Sequence, residues 1–191
     1  MNNLKFLAES ETIYPDRSFD YATAFYKHIF TLHGFFNGHY IPLAFCLLPN
    51  KRETTYIDCF KKLCMLCEEN GFHLNPSALV VDFEVAIHNS IKTVWPSSTI
   101  IGCYFHLSQS WFRKIQELGL VVDYKNNDSA IGEWLRVCFG LMFLDPQEVK
   151  HCFTFDLLSC IPLDDRVIKF ADYLTSNYIR DEARFSPKIW A

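Results

Sequence analysis

Two aspartates, Asp16 and Asp82, are the residues of this chain best placed to do chemistry, because each stands where an apolar run reading as a strand should end. Carboxylates brought to within a few ångströms repel, and a site that keeps both ionised needs a bound cation, for which Mg²⁺ or Mn²⁺ is suited. The competing reading of a strand-end aspartate is a turn or helix-cap residue, and Asp82, just ahead of a helical pattern, fits that role too. A second constellation is Cys103-x-x-His106, whose thiolate and imidazole suit Zn²⁺. A structural zinc site takes four ligands, and only Cys67 and His88 are conceivable helpers. The plainer reading makes Cys103 a strand residue facing the core and lets His106 start a helix. Cys64-Met65-Leu66-Cys67 has the spacing of a redox or zinc pair, but it lies on or near the apolar face of a helical pattern, where cysteine packs as a small hydrophobe.

The elements that must position these residues read as strands first and helices last. Residues 11–19 and 29–36 alternate as strands, and the second runs into Asn37-Gly38, the strongest short hairpin signal, before a third strand at 40–48. Pro42 lies within that third strand, which places it at the sheet edge. Residues 54–70 carry Ile57, Phe60, Leu63, Cys64 and Cys67 at helical spacing and stop at Gly71. Ala78 to Asp82 is a short apolar run typical of a buried parallel strand. A helix over 84–94, ended by Pro96, and a strand over 99–105 complete a βαβ unit.

Beyond residue 105 the pattern is helical. Helices are expected over 106–119 and 128–143, from Asp145-Pro146-Gln147-Glu148 onward as a capping box, and over 164–178. The predicted architecture is therefore α/β: a mixed five-stranded sheet in the order 3-2-1-4-5, flanked by helices and followed by an all-helical C-terminal part. The division expected is a core over 1–120 and a helical extension over 121–191.

Composition narrows the partners. Half of the 191 residues are apolar and 16% are aromatic, enough for a real core. Eighteen Lys and Arg against 22 Asp and Glu give a net charge of −4, so bulk electrostatics do not advertise a nucleic-acid surface. The opening residues lack signal-peptide form and no apolar run reaches membrane-spanning length, so an intracellular protein, nuclear or cytoplasmic, is expected, with its eight cysteines reduced and no membrane partner.

With an aspartate on its first strand and another on its fourth, the predicted sheet is that of an RNase H-like fold, and the stretch from Asp16 to His106 resembles the transposase domain of Mutator-like elements (MULE). The residues that carry the likeness are Asp16-Arg17-Ser18-Phe19 at the opening, Phe30 to Leu43 with its His33-Gly34-Phe35-Phe36-Asn37-Gly38 centre, Asp82-Phe83-Glu84-Val85-Ala86, and Cys103-Tyr104-Phe105-His106-Leu107-Ser108-Gln109. Ala183 to Trp190 is similar to a later stretch of the same transposases. The resemblance implies a DDE enzyme that cuts and joins DNA phosphodiesters at transposon ends, with Asp16 and Asp82 as the first two acidic ligands of Mg²⁺ or Mn²⁺. An oligomer is compatible with it.

Three departures set this chain apart from the pattern. Arg17 replaces the glycine after the first aspartate and puts a long cation where metal and phosphate would approach. Pro15 interrupts a strand that should be central. The last catalytic glutamate has no counterpart before Ala191, and neither Glu133 nor Glu148 has a matching context. The resemblance therefore supports two expectations, a transposase catalytic-domain fragment or a non-catalytic, transposase-derived remnant serving in DNA or protein binding.

Overall fold

The computed structural model describes residues 3–18 and 26–191, and Phe19, where the first predicted strand was to end, lies outside them. Two compact units form along the chain, Met1–Ile101 and Gly102–Ala191.

In the first unit a short helix α1 (Asn3–Glu9) precedes strands β1 (Thr12–Ser18), β2 (His28–Phe36) and β3 (His39–Leu48). Helix α2 (Glu53–Glu69), strand β4 (Ala78–Val81), helix α3 (Val85–Val94) and strand β5 (Thr99–Gly102) follow. The sheet order is β3-β2-β1-β4-β5, with β1 antiparallel to β2 and parallel to β4. This is the mixed five-stranded α/β arrangement expected.

The β2–β3 hairpin turns at Asn37 (φ 49°) and Gly38 (φ 81°), the two positive-φ positions of a type I′ turn, whose twist matches that of the strands it joins. Pro42 does lie on the edge strand. Next to it the register shifts, with Leu32 opposite Ala44 but His33 opposite Pro42, so that Leu43 is the extra residue of a bulge and is buried. Pro15 sits in central β1, opposite Leu32; the ladder from β1 to β4 runs through Thr12 and Ile13 and lapses before it reaches this residue without an N–H.

Strict alternation buries His28, Phe30, Leu32 and Gly34 of β2. Phe30 and Leu32 join one core with Tyr56, Phe60, Leu63 and Cys67, one stripe of α2, and with Ile87 and Ile91 of α3. Full burial of side chains of this size contributes about 1.5–3 kcal/mol each, so α2 is held by packing and not by caps, of which it has no side-chain example. Cys67 is buried and Cys64 half-buried, with the Sγ atoms directed at the Leu4 and Leu74 carbonyls respectively, both at 3.9 Å. All eight cysteines are thiols.

The second unit is helical: α4 (Tyr104–Glu117), α5 (Val121–Lys125), α6 (Ala130–Cys138), α7 (Pro146–His151) and α8 (Asp165–Leu174). Two expectations are corrected here. The last strand stops at Gly102 instead of Phe105, and the helix starts at Tyr104 instead of His106, so Cys103 is the α4 N-cap with extended dihedrals and not a strand residue. The helix expected over 128–143 is α-helical only to Cys138 and tightens to 3₁₀ over Phe139–Phe143. Asp145 does cap α7, accepting from the Gln147 N–H at 2.9 Å, with Pro146 in the first turn. The helix over 164–178 ends its α-helical part at Leu174 and passes into a π-helical turn, Thr175–Ile179.

At the centre of this unit Trp111 of α4 is fully buried against the rings of Phe139, Tyr178 and Trp190, at centroid distances of 5.5, 5.7 and 5.8 Å. Trp190 belongs to the tail, which turns in a 3₁₀ segment (Pro187–Ile189). Among the described residues no helix is long and apolar enough to cross a membrane.

Candidate catalytic carboxylates and their cation

Strands β1 and β4 are neighbours and parallel, with Thr12 opposite Ala78 and Ile13 opposite Leu79. Asp16 stands three residues past Ile13 on β1, and Asp82 three residues past Leu79, beyond the last of these pairs. Asp16 is exposed and its Oδ1 accepts the Arg17 backbone N–H at 2.8 Å. Asp82 follows the last residue of β4 in the turn that leads to α3. Its Oδ1 accepts the Glu84 N–H at 3.2 Å, and its carbonyl accepts from His88 Nε2 at 2.8 Å. The N-cap of α3 is Glu84, so Asp82 braces the turn ahead of the helix instead of capping it.

Arg17 is the residue that dominates this end of the sheet. Its neighbours in β1, Ile13 and Pro15, are buried, and Arg17 itself is half-buried. From there the guanidinium reaches two carboxylates at once: Nη2 donates to Asp82 Oδ2 and Nη1 to Glu84 Oε2. The three side chains are 17%, 11% and 20% exposed for Arg17, Asp82 and Glu84. An exposed pair such as Lys5–Glu9 is worth about 0–1 kcal/mol, whereas stripping one partner from a shielded pair costs roughly 3–5 kcal/mol. The clamp is thus a structural element of the site.

Its surroundings reinforce it. Burial works to lower the Arg17 pKa, but the charges of Asp82 and Glu84 outweigh it and push the value up, and the Tyr56 hydroxyl adds a hydrogen bond. Burial, with the Glu84 charge behind it, pushes the Tyr56 phenol far above its ordinary range and keeps it protonated. His28, fully buried, lies 3.4 Å from the Tyr56 hydroxyl through Nε2, and burial together with the nearby Arg17 charge holds its imidazole below the usual value. His88 is likewise lowered, first by burial. Since a carbonyl can only accept, the hydrogen bond to Asp82 places the His88 proton on Nε2.

Does this set of groups fit a divalent ion? Mg²⁺ demands oxygens at about 2.0–2.1 Å in octahedral array. Asp82 Oδ2 and Glu84 Oε2 are committed to Arg17, and Asp82 Oδ1 to a backbone amide. As arranged, the residues do not fit the metal. Among the described residues no group of three or more His, Cys, Asp or Glu side chains could hold one.

Glu84 is the member that sequence reasoning missed. The signal available was the spacing Asp82-x-Glu84 across a strand-to-helix turn together with the cation Arg17 at the neighbouring strand end.

In the second unit Cys103 and His106 do meet. His106 hydrogen-bonds the Cys103 thiol, and this pulls the thiol pKa down against an opposing effect of burial. The thiolate reacts with alkylating agents and the thiol does not, so Cys103 should be carbamidomethylated with a half-point at lower pH than an ordinary cysteine. His106→Asn should move that half-point up, as measured by mass spectrometry of iodoacetamide-labelled peptides across pH 6–10.

Comparison with known proteins adds one finding to this geometry. Residues 18–110 match the family model described as the MULE transposase domain, a span that takes in Asp82, Glu84, Cys103 and His106 and starts two positions after Asp16. No curated protein and no solved structure matches the chain. Residues 18–110 are thus similar to the MULE transposase domain.

Proposed function

We propose that this chain is a transposase-derived domain whose ancestral chemistry was cleavage and strand transfer at DNA phosphodiesters, with Asp16 and Asp82 as the first two acidic metal ligands of the catalytic site, and which now serves without catalysis. The family match supports a transposase-related function. What supports the reading of the site is that Asp16 lies on β1 while Asp82 directly follows β4, the parallel neighbour of β1. Divalent-metal dependence through Mg²⁺ or Mn²⁺ is what such a family suggests in general, and DNA, specifically transposon ends, is the partner it implies. A core over 1–120 with a helical extension over 121–191, and residence in nucleus or cytoplasm, belong to the same proposal.

The alternative, a catalytic-domain fragment competent to cut and join DNA, is disfavoured by one observation: the carboxylates of Asp82 and Glu84 already carry a guanidinium. The experiment is a nicking and strand-joining assay on supercoiled plasmid and on end-labelled duplex with Mg²⁺ or Mn²⁺. We expect neither product. Weak, strongly salt-dependent duplex binding is expected from the net charge of −4. Metal-dependent nicking that disappears in Asp82→Ala would establish the catalytic reading instead.

A further inference from the structure

The geometry points to Arg17 as the resident cation of this site: its guanidinium bridges Asp82 and Glu84 in the way a divalent ion would, so that the native chain takes up neither Mg²⁺ nor Mn²⁺ there. The two bonds use separate terminal nitrogens on separate carboxylates, which is how a single planar cation neutralises two acids from one direction. Arg17 is delivered by the sheet itself, in register with Phe30 of β2, and is therefore present at an effective concentration no dissolved ion matches. Arginine also stays charged over the whole working pH range, so the neutralisation cannot be switched off by proton loss. Tyr56 completes the enclosure by hydrogen-bonding the same guanidinium.

The ancestral-metal reading of Asp16 and Asp82 gives this inference its interest, but the two stand or fall on different measurements. DNA nicking tests that reading; uptake of the bare metal tests this one. A divalent ion would have to displace a half-buried guanidinium from both carboxylates before it could bind. Removing the guanidinium should therefore uncover a cation site made by Asp82 and Glu84. A neighbouring opposite charge within about 4–6 Å moves proton binding to a carboxylate by about 1–3 units, and the same field acts on a metal ion, so the gain should be at least about tenfold.

The probe is Mn²⁺ itself. Titration of the full chain followed by the electron paramagnetic resonance signal of unbound Mn²⁺ should show no uptake by the native protein at Asp82 and Glu84. Arg17→Ala should bind Mn²⁺ at least about tenfold more tightly, and adding Glu84→Gln should abolish the gain. Arg17→Gln, which keeps the first three carbons of the stem and an amide N–H donor while losing the charge, supplies the same comparison should the alanine variant not fold. A measurement on the native chain needs no variant at all: with Mn²⁺ present, the Glu84 amide resonance, one hydrogen bond from Asp82, should show no selective paramagnetic broadening. Selective broadening of that resonance in the native chain, or unchanged Mn²⁺ affinity in a folded Arg17 variant, would overturn the assignment.

Discussion

Trp111→Ala should lower the unfolding free energy of the helical unit by about 3–5 kcal/mol, the range for a fully buried tryptophan truncated to a methyl group. The loss is large for two reasons. The indole is entirely shielded from solvent and stands between Phe139, Tyr178 and Trp190, so its removal leaves three rings without their common neighbour. Tyr178 and Trp190 come from chain segments far from α4, so the surroundings cannot close over the cavity by a local shift. One feature offsets part of the native benefit. Trp95, Trp134 and Trp190 donate their indole N–H groups to the carbonyls of Leu74, Leu157 and Phe185, whereas Trp111 Nε1 has no hydrogen-bond partner among the described residues. A buried donor without a partner costs about 1–3 kcal/mol. Trp111→Phe keeps a ring and discards that donor, and should therefore stay within about 1.5 kcal/mol of the native chain. Chemical denaturation followed by tryptophan fluorescence and far-ultraviolet circular dichroism would measure both variants, and an alanine variant as stable as the phenylalanine one would contradict the account.

Gly132→Ala should also destabilise, against the usual direction of that change. In a helix interior, alanine is favoured over glycine by about 1 kcal/mol. At Gly132 of α6, however, a Cβ would lie 2.1 Å from the Asp123 carbonyl oxygen and 2.9 Å from that of Asn126. Both are backbone atoms and cannot rotate aside. Relief requires α5 to move away from α6, which breaks the bonds Arg136 makes to the Tyr124 and Asn126 carbonyls at 2.7 and 3.2 Å. Overpacking of this kind costs about 1–3 kcal/mol or more, so a net loss near 2 kcal/mol is expected. Gly140→Ala is the control, since a Cβ there meets nothing within 4 Å and the variant should be neutral or slightly stabilised. Equal melting temperatures for the two variants would show that α5 yields without cost.

What could be read from sequence followed the strength of the local pattern. The Asn37-Gly38 turn, the alternation of β2 and the apolar stripe of α2 are short-range signals, and each fixed its element to within a residue or two. Helix α1 escaped notice because its seven residues bury only Leu7 and have neither an acidic residue in the first turn nor a basic one in the last, so packing and not pattern makes it helical. The shift from strand to helix at Gly102 and Cys103 was missed for a related reason: Ile100 to Phe105 is apolar enough for either structure, and only tertiary context decides. At the site, Asp16, Asp82 and the intruding Arg17 were all visible as residues. The sequence could not say where the Arg17 side chain would go. That depends on its lying in β1 between buried Pro15 and the turn after β4, and on Glu84 coming round the same turn to take the second nitrogen.

The bulge beside Pro42 has a consequence for how copies of this protein meet one another. An edge strand offers its outer row of amides and carbonyls to any passing chain, and β3 adds exposed Phe45 and Leu47 to that invitation. Pro42 contributes no N–H, and the extra residue Leu43 throws the spacing of the row out of step. The bulge splits β3 into two regular stretches, His39–Pro42 and Ala44–Leu48, each shorter than the segments of about six or seven residues that stack into fibrils. Two adjacent residues at the rim of the sheet thus keep an aromatic, nearly neutral edge from serving as a template for its own kind.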